Sequence, residues 1–222
     1  MQAAWEQLAA YGHKLPRVLL YGPPGVGKTH LAASAGIGTQ QVYRVTCTED
    51  TPAAELRGHW VPKGLGEWSW HDGPAMTAYR HGGRLVIDEI TRAHDDALSF
   101  LLGLLDGHAM TLPNGETVLP HSDFSVWATT NDEPDALPDA LADRFVVKVE
   151  CSSVNPEALA LLPNVLRKAV THTEVSYRQA QEYMRQTSTP ASIPAEIAAS
   201  LIWGNRFRDV LYAFQLAESE IN

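Results

Sequence analysis

Gly22-Pro23-Pro24-Gly25-Val26-Gly27-Lys28-Thr29 stands between an apolar run, Val18-Leu19-Leu20-Tyr21, and a helical pattern from Lys28 to Ala35 that Gly36 closes. The run predicts a buried strand. Strand, glycine loop and helix together are the context in which the pattern G-x-x-x-x-G-K-[ST] holds a phosphate. Its glycines let successive backbone N–H groups curl around an anion with no Cβ in the way, and the helix N-terminus adds partial positive charge. Lys28 is expected to reach β- and γ-phosphates, and the Thr29 hydroxyl to ligate Mg²⁺. The expected nucleotide contacts are Gly22, Pro23, Pro24, Gly25, Val26, Gly27, Lys28 and Thr29, with His30 next on the helix.

Working outward, residues 2–12 read as a helix ended by Gly12, and 17–21 as the first strand. Gln41–Thr46 is β-rich and reads as the second. Residues 58–74 mix Gly58, Pro62, Gly64, Gly66, Gly73 and Pro74 with Trp60, Trp68 and Trp70, which predicts an irregular or hairpin excursion. A helix over 75–81 leads to a strand, Arg84-Leu85-Val86-Ile87-Asp88. Residues 94–106 carry a helical apolar face of Ala97, Leu98, Leu101, Leu102 and Leu105. Asn114-Gly115 within 109–121 signals a hairpin. Phe124–Thr129 and Phe145–Val149 are further strands. Five strands alternating with helices predict an α/β fold, a mainly parallel sheet covered on both faces, over residues 1–150. Beyond it, 156–170, 174–187, 193–203 and 206–219 read as helices, with Pro156 and Pro190 marking starts or breaks, and form a small all-helical lid over 151–222.

Composition narrows the function classes. The 222 residues suffice for one α/β domain and a small satellite, and the formal net charge is −9. That balance argues against a surface that grips nucleic acid throughout, though not against a few basic groups at the axis of an assembly. Nine histidines form no metal-ligand spacing. Cys47 and Cys151 are too few for a disulfide framework. No apolar run approaches the ~20 residues that span a bilayer. Met1–Glu6 shows no signal-peptide pattern, so a cytoplasmic location is expected.

Leu85-Val86-Ile87-Asp88-Glu89 delivers two acids at the end of a strand, where ligands bind in open α/β sheets. Asp88 there offers Mg²⁺ a hard oxygen, and Glu89 is placed to take a proton from an attacking water. With both motifs the chain resembles the AAA+ ATPases, and within them the MoxR and dynein-related branch. Asp72-Gly73-Pro74-Ala75, then His81-Gly82-Gly83-Arg84 running into Asp88-Glu89-Ile90, is similar to a segment of that branch. So are Ala128-Thr129-Thr130-Asn131 and Ala136-Leu137-Pro138-Asp139-Ala140-Leu141-Ala142-Asp143-Arg144-Phe145. The likeness runs from about residue 15 to 150 and more weakly to about 210; the helical lid is short for the branch.

The resemblance implies a P-loop NTPase fold that uses ATP and Mg²⁺ and a self-associated ring, expected to be a hexamer. It makes Asn131 the sensor 1 that orients water or γ-phosphate. It makes Arg144 an arginine finger reaching a neighbouring subunit, against the alternative of a surface pair with Asp143 or Asp139. Arg206 sits where a sensor-2 arginine begins a lid helix, and Arg208 competes for that role. The excursions 58–73 and 109–121 are expected near the ring's pore. Trp60, Trp68, Trp70 and Lys63 are then candidate client contacts, unless the tryptophans pack within their own domain.

The expected function is a MoxR- or CbbQ-like ATPase that remodels or activates a protein partner. Three alternatives stand beside it: the motor of a McrB-like nucleic-acid complex, reaching nucleic acid only through a partner chain; a nucleotide-dependent assembly switch with little turnover; and a small-molecule P-loop kinase. Glu89 with Arg144 disfavours the switch, and Asp88-Glu89 with Asn131 disfavours the kinase.

Overall fold

A computed structural model describes residues 2–154, 156–172, 175–188 and 194–212. Helix α1 (Gln2–Tyr11) leads through a 3-10 turn to β1 (Arg17–Tyr21), and α2 (Lys28–Ser34) follows the glycine loop. Next come β2 (Val42–Thr46), α3 (Ala53–Arg57), the hairpin of β3 (Gly58–Gly64) and β4 (Glu67–Asp72), and α4 (Pro74–His81). Then follow β5 (Gly83–Asp88), α5 (Asp95–Asp106), a small hairpin of β6 (Met110–Thr111) and β7 (Thr117–Val118), and β8 (Phe124–Thr130). Helix α6 (Asp139–Arg144) and β9 (Val147–Glu150) complete this portion.

The main sheet runs β2-β5-β8-β1-β9, and every neighbouring pair is parallel. Every residue of β5 is buried, as a central strand covered on both faces must be. Leu85 and Ile87 join the core with Met76 and Tyr79 of α4 and Leu101 and Leu105 of α5. On the opposite face Arg84 lies fully buried. Its guanidinium donates to the carbonyls of Ala32 at 3.0 Å, Ala35 at 2.7 Å and Gly12 at 3.2 Å, and stacks 4.0 Å from the Trp127 ring. One cation thus ties β5 to the carbonyl end of α2, and burial pushes its pKa down to about 10.

Several boundaries differ from the sequence expectation. The last sheet strand begins at Val147, because Phe145 closes α6 and is buried in the core. The buried face of α5 includes Phe100 and Leu104, while Leu98 and Leu102 are half-buried at its edge. Helices α3 and α6 are too short to show a period, and the sequence reading placed neither.

Residues 1–23 and 28–151 form one compact unit; 24–27 and 152–222 form the other. In the second, the helix expected over 156–170 is two, α7 (Pro156–Ala160) and α8 (Asn164–His172). Pro163 has no N–H with which to continue the ladder, and the Arg167 side chain donates to the carbonyls of Leu159, Ala160 and Leu162 at 3.0–3.1 Å. Helix α9 (Tyr177–Thr187) opens on a capping box of Ser176 and Gln179, and α10 (Ala195–Trp203) packs on it, with Tyr183 and Trp203 rings 4.9 Å apart. Of the final expected helix, 207–212 is helical and 213–219 lies outside the described residues, as do Pro190 and the expected helix starts at 174 and 193. No helix among the described residues is long and apolar enough to cross a membrane.

Candidate active site

The C-terminal ends of β1, β5 and β8, neighbours in space though far apart in sequence, bring together Lys28, Asp88, Glu89 and Asn131 of the predicted residues. Strand β1 delivers the glycine loop. Gly22 has φ 128°, and a Cβ there would meet the Cys151 carbonyl oxygen at 2.7 Å, so the first loop position takes glycine for space as well as for conformation. Gly25 and Gly27 also have positive φ, 82° and 100°.

Lys28 is buried on the first turn of α2. Its ammonium donates to the carbonyls of Gly22 at 2.6 Å and Pro23 at 2.8 Å, and to Oδ1 of Asn131 at 2.8 Å. The other end of the Asn131 amide, Nδ2, donates to Oε1 of Glu89 at 2.7 Å. Lysine, amide and carboxylate form one continuous chain. Glu89 reaches it from a left-handed backbone, φ 56°, uncommon for a residue with a side chain and held here between the buried end of β5 and a 3-10 turn. Thr29 is half-buried and His30 exposed on the same turn.

Asp88 is buried and clamped from two sides. Oδ1 accepts from Thr129 Oγ1 at 3.0 Å, and Oδ2 from Arg44 Nε at 2.6 Å. The chemistry of two of these side chains suits a divalent cation. Thr29 and Asp88 supply hard oxygens, and a cationic group, the Arg44 guanidinium, already lies on the carboxylate. Sequence reasoning missed Arg44 and Thr129. Their signal was weak, a basic residue in a β-rich run and a hydroxyl two before Asn131, and only the strand order gives it meaning.

Arg144 is separate from this cluster in the chain as it stands. It ends α6, where Nε donates to Asp106 Oδ1 at 2.6 Å and Nη1 to the Ala140 carbonyl at 2.6 Å. Its carboxylate partner is Asp106 rather than Asp139 or Asp143, because α5 packs on α6. The Arg144 guanidinium holds the Asp106 carboxyl below its usual range. Arg206 closes a 3-10 turn, Gly204–Arg206, and is exposed. Arg208 lies 5.7 Å from the Phe207 ring.

The tryptophans divide. Trp70 is half-buried against the core, donates Nε1 to Asp72 Oδ1 at 2.7 Å, and meets Trp60 edge-on at 5.8 Å. Trp68 and Trp60 are 60% and 46% exposed, and Leu65 is fully exposed at the hairpin tip. Lys63 is exposed on the same hairpin. Arg80 of α4 joins the two hairpins, donating to Asp72 at 2.8 Å and to the Glu116 carboxylate.

Residues 17–145 match the family described as AAA domain (dynein-related subfamily). The chain belongs to this family. Among its relatives, Midasin of Dictyostelium discoideum is 31% identical over 72% of this chain and 3% of its own length. An uncharacterized protein of Staphylococcus haemolyticus is 39% identical over 59% of this chain and 53% of its own. The chain thus spans about half, or far less, of these relatives. NtrX of Brucella abortus shares the fold at TM-score 0.60 and 18% identity, covering 98% of this chain and 49% of that one. An NtrX structure in complex with ADP gives TM-score 0.57 at 18% identity, with 98% and 47% covered. The α/β portion is therefore an AAA+ P-loop fold, followed by helices.

Proposed function

We propose that this chain is an ATP hydrolase that works as a ring and uses turnover to remodel a protein partner. The observation that carries the reading is the Lys28–Asn131–Glu89 chain beside buried Asp88. It gathers at one sheet end a phosphate cation, a water-orienting amide and a proton acceptor, the parts that in-line phosphoryl transfer to water requires.

Lys28 exchanges loop carbonyls for the β- and γ-phosphates of ATP. Asn131 orients a water, Glu89 accepts its proton as the oxygen attacks the γ-phosphorus, and the bond to the bridging oxygen breaks to leave ADP and phosphate. Thr29 and Asp88 would hold Mg²⁺, which would supply charge neutralisation at the phosphates. Residues 22–27 and His30 line the phosphate side. Arg144 leaves Asp106 to stabilise the transferring phosphoryl group of a neighbouring subunit, in a ring we take to be a hexamer. Residues 151–222 act as the lid, with Arg206 or Arg208 as its sensor.

Exposed Trp60, Trp68 and Leu65 favour a protein client, since exposed large apolar side chains gathered on one hairpin suit protein contact. The net charge of −9 favours it over nucleic acid. The test is ATP turnover per subunit against protein concentration, with mass followed by light scattering. Specific activity that climbs as the chain assembles supports a shared site. A monomer whose rate is independent of concentration overturns the ring.

A further inference from the structure

Asp88 carries a counter-cation of its own. Two nitrogens of Arg44, Nε and Nη2, lie 2.6 Å from the same oxygen, Oδ2. Thr129 Oγ1 donates to Oδ1 at 3.0 Å. An ionised carboxylate has about four lone-pair sites, so the clamp leaves little of it unclaimed. The sheet dictates the pairing. Thr46 stands opposite Asp88, which puts Arg44, two residues back on β2, on the same face and within a long side chain's reach.

The two partners differ in how firmly they are held. The Asp88 side chain is 4% exposed and the Arg44 side chain 57%. A carboxylate that deep is costly without a compensating charge, and the guanidinium provides one. Being half in water on a flexible stem, that guanidinium can swing into solvent at small cost. A hard dication draws its affinity from the full anionic charge of its oxygen ligands, and a guanidinium on Oδ2 both reduces that charge and repels the incoming ion.

Resting on the reading of Asp88 as the Mg²⁺ carboxylate, we propose that Arg44 is a built-in competitor of the metal. It neutralises Asp88, yields when the dication enters, and so sets the Mg²⁺ concentration at which nucleotide is held. Arg44 acts through Asp88 and is a positioning residue.

The experiment is calorimetric titration of ADP into the full chain at a series of buffered free Mg²⁺ concentrations. Arg44→Gln lowers the half-saturating Mg²⁺ by roughly three- to fivefold, the scale of a partly exposed charge, and leaves ADP affinity in chelator unchanged. Arg44→Lys, which keeps the charge, stays within about twofold of the parent on the same scale. An unchanged or higher Mg²⁺ requirement in Arg44→Gln overturns the proposal, as does a Lys variant that shifts as far as the Gln variant. Asp88→Asn separates the two levels. If it leaves the Mg²⁺ dependence intact, the reading of Asp88 fails. If it removes that dependence while Arg44→Gln changes nothing, only the competitor role fails.

Discussion

Lys28 and Asn131 lie 103 residues apart in sequence, yet the lysine ammonium donates to the asparagine Oδ1 at 2.8 Å. Because β1 and β8 are parallel neighbours, the segments that leave their ends start side by side. The amide must present oxygen to the cation and nitrogen to Glu89, so a single side chain orients both charges.

Asn131→Ala breaks this chain at its middle. Turnover falls by about 10²-fold while ATP affinity stays within about threefold, because an orienting bond is lost and the phosphate cradle is not. Steady-state kinetics and calorimetry on the same preparation check it. A loss of binding as large as the loss of rate sinks the orienting role. Asn131→Asp also loses turnover, since a second carboxylate facing Glu89 is repelled rather than bound.

Glu89→Gln removes the proton acceptor and keeps the amide contact's shape. ATP binding and assembly persist, and the rate drops by about 10²- to 10⁴-fold. Arg144→Ala keeps nucleotide binding and loses turnover for another reason, the missing charge in the neighbour's site. Mixing the two inactive variants restores measurable activity, because some interfaces then combine an intact Glu89 with an intact Arg144. Failure of the mixture to exceed either variant alone removes Arg144 from the trans role.

Burial pushes the thiols of Cys47 and Cys151 up to about 11. Their folded pKa values lie above the ordinary ~8.5 of an unfolded thiol, so both stay neutral below that value. The stability this contributes is complete at pH 7 and is lost as pH rises through about 11. At pH 8 the native chain is silent to a disulfide-exchange reagent over minutes, and in denaturant it titrates two thiols. Rapid reaction of either cysteine in the native state contradicts its burial.

Arg84→Met deletes the buried guanidinium and leaves the carbonyls of Ala32, Ala35 and Gly12 without their donor. Urea denaturation shows a loss of about 2–4 kcal/mol. Arg84→Lys recovers less than half, because one ammonium cannot replace a planar fork that serves three carbonyls and stacks on Trp127. A stable Met variant means that the carbonyls find other donors.

Much of the candidate site was readable in the chain itself. The glycine loop carries its chemistry in local backbone conformation, and the strand before it and the helix after it are local patterns too. Asp88-Glu89 is legible because an apolar strand ending in acids is a contiguous signal. Asn131 and Arg144 took meaning only from the resemblance, since one amide after a strand and one arginine at a helix end have no signature of their own. The break at Pro163 was visible in the sequence and passed over; α3 and α6, at five and six residues, were below what a 3.6-residue period can reveal.

The sequence by itself determined the α/β alternation, the glycine loop and the paired acids, because each depends on residues adjacent along the chain. Tertiary structure alone decided which groups meet. The strand order β2-β5-β8-β1-β9 brings Arg44 and Thr129 to either side of Asp88, links Lys28 through Asn131 to Glu89, and the packing of α6 on α5 hands Arg144 to Asp106. Those partners come from strands and helices 38 to 103 residues apart. No local propensity encodes such a pairing; it follows from parallel strands that must be connected through helices before they can become neighbours.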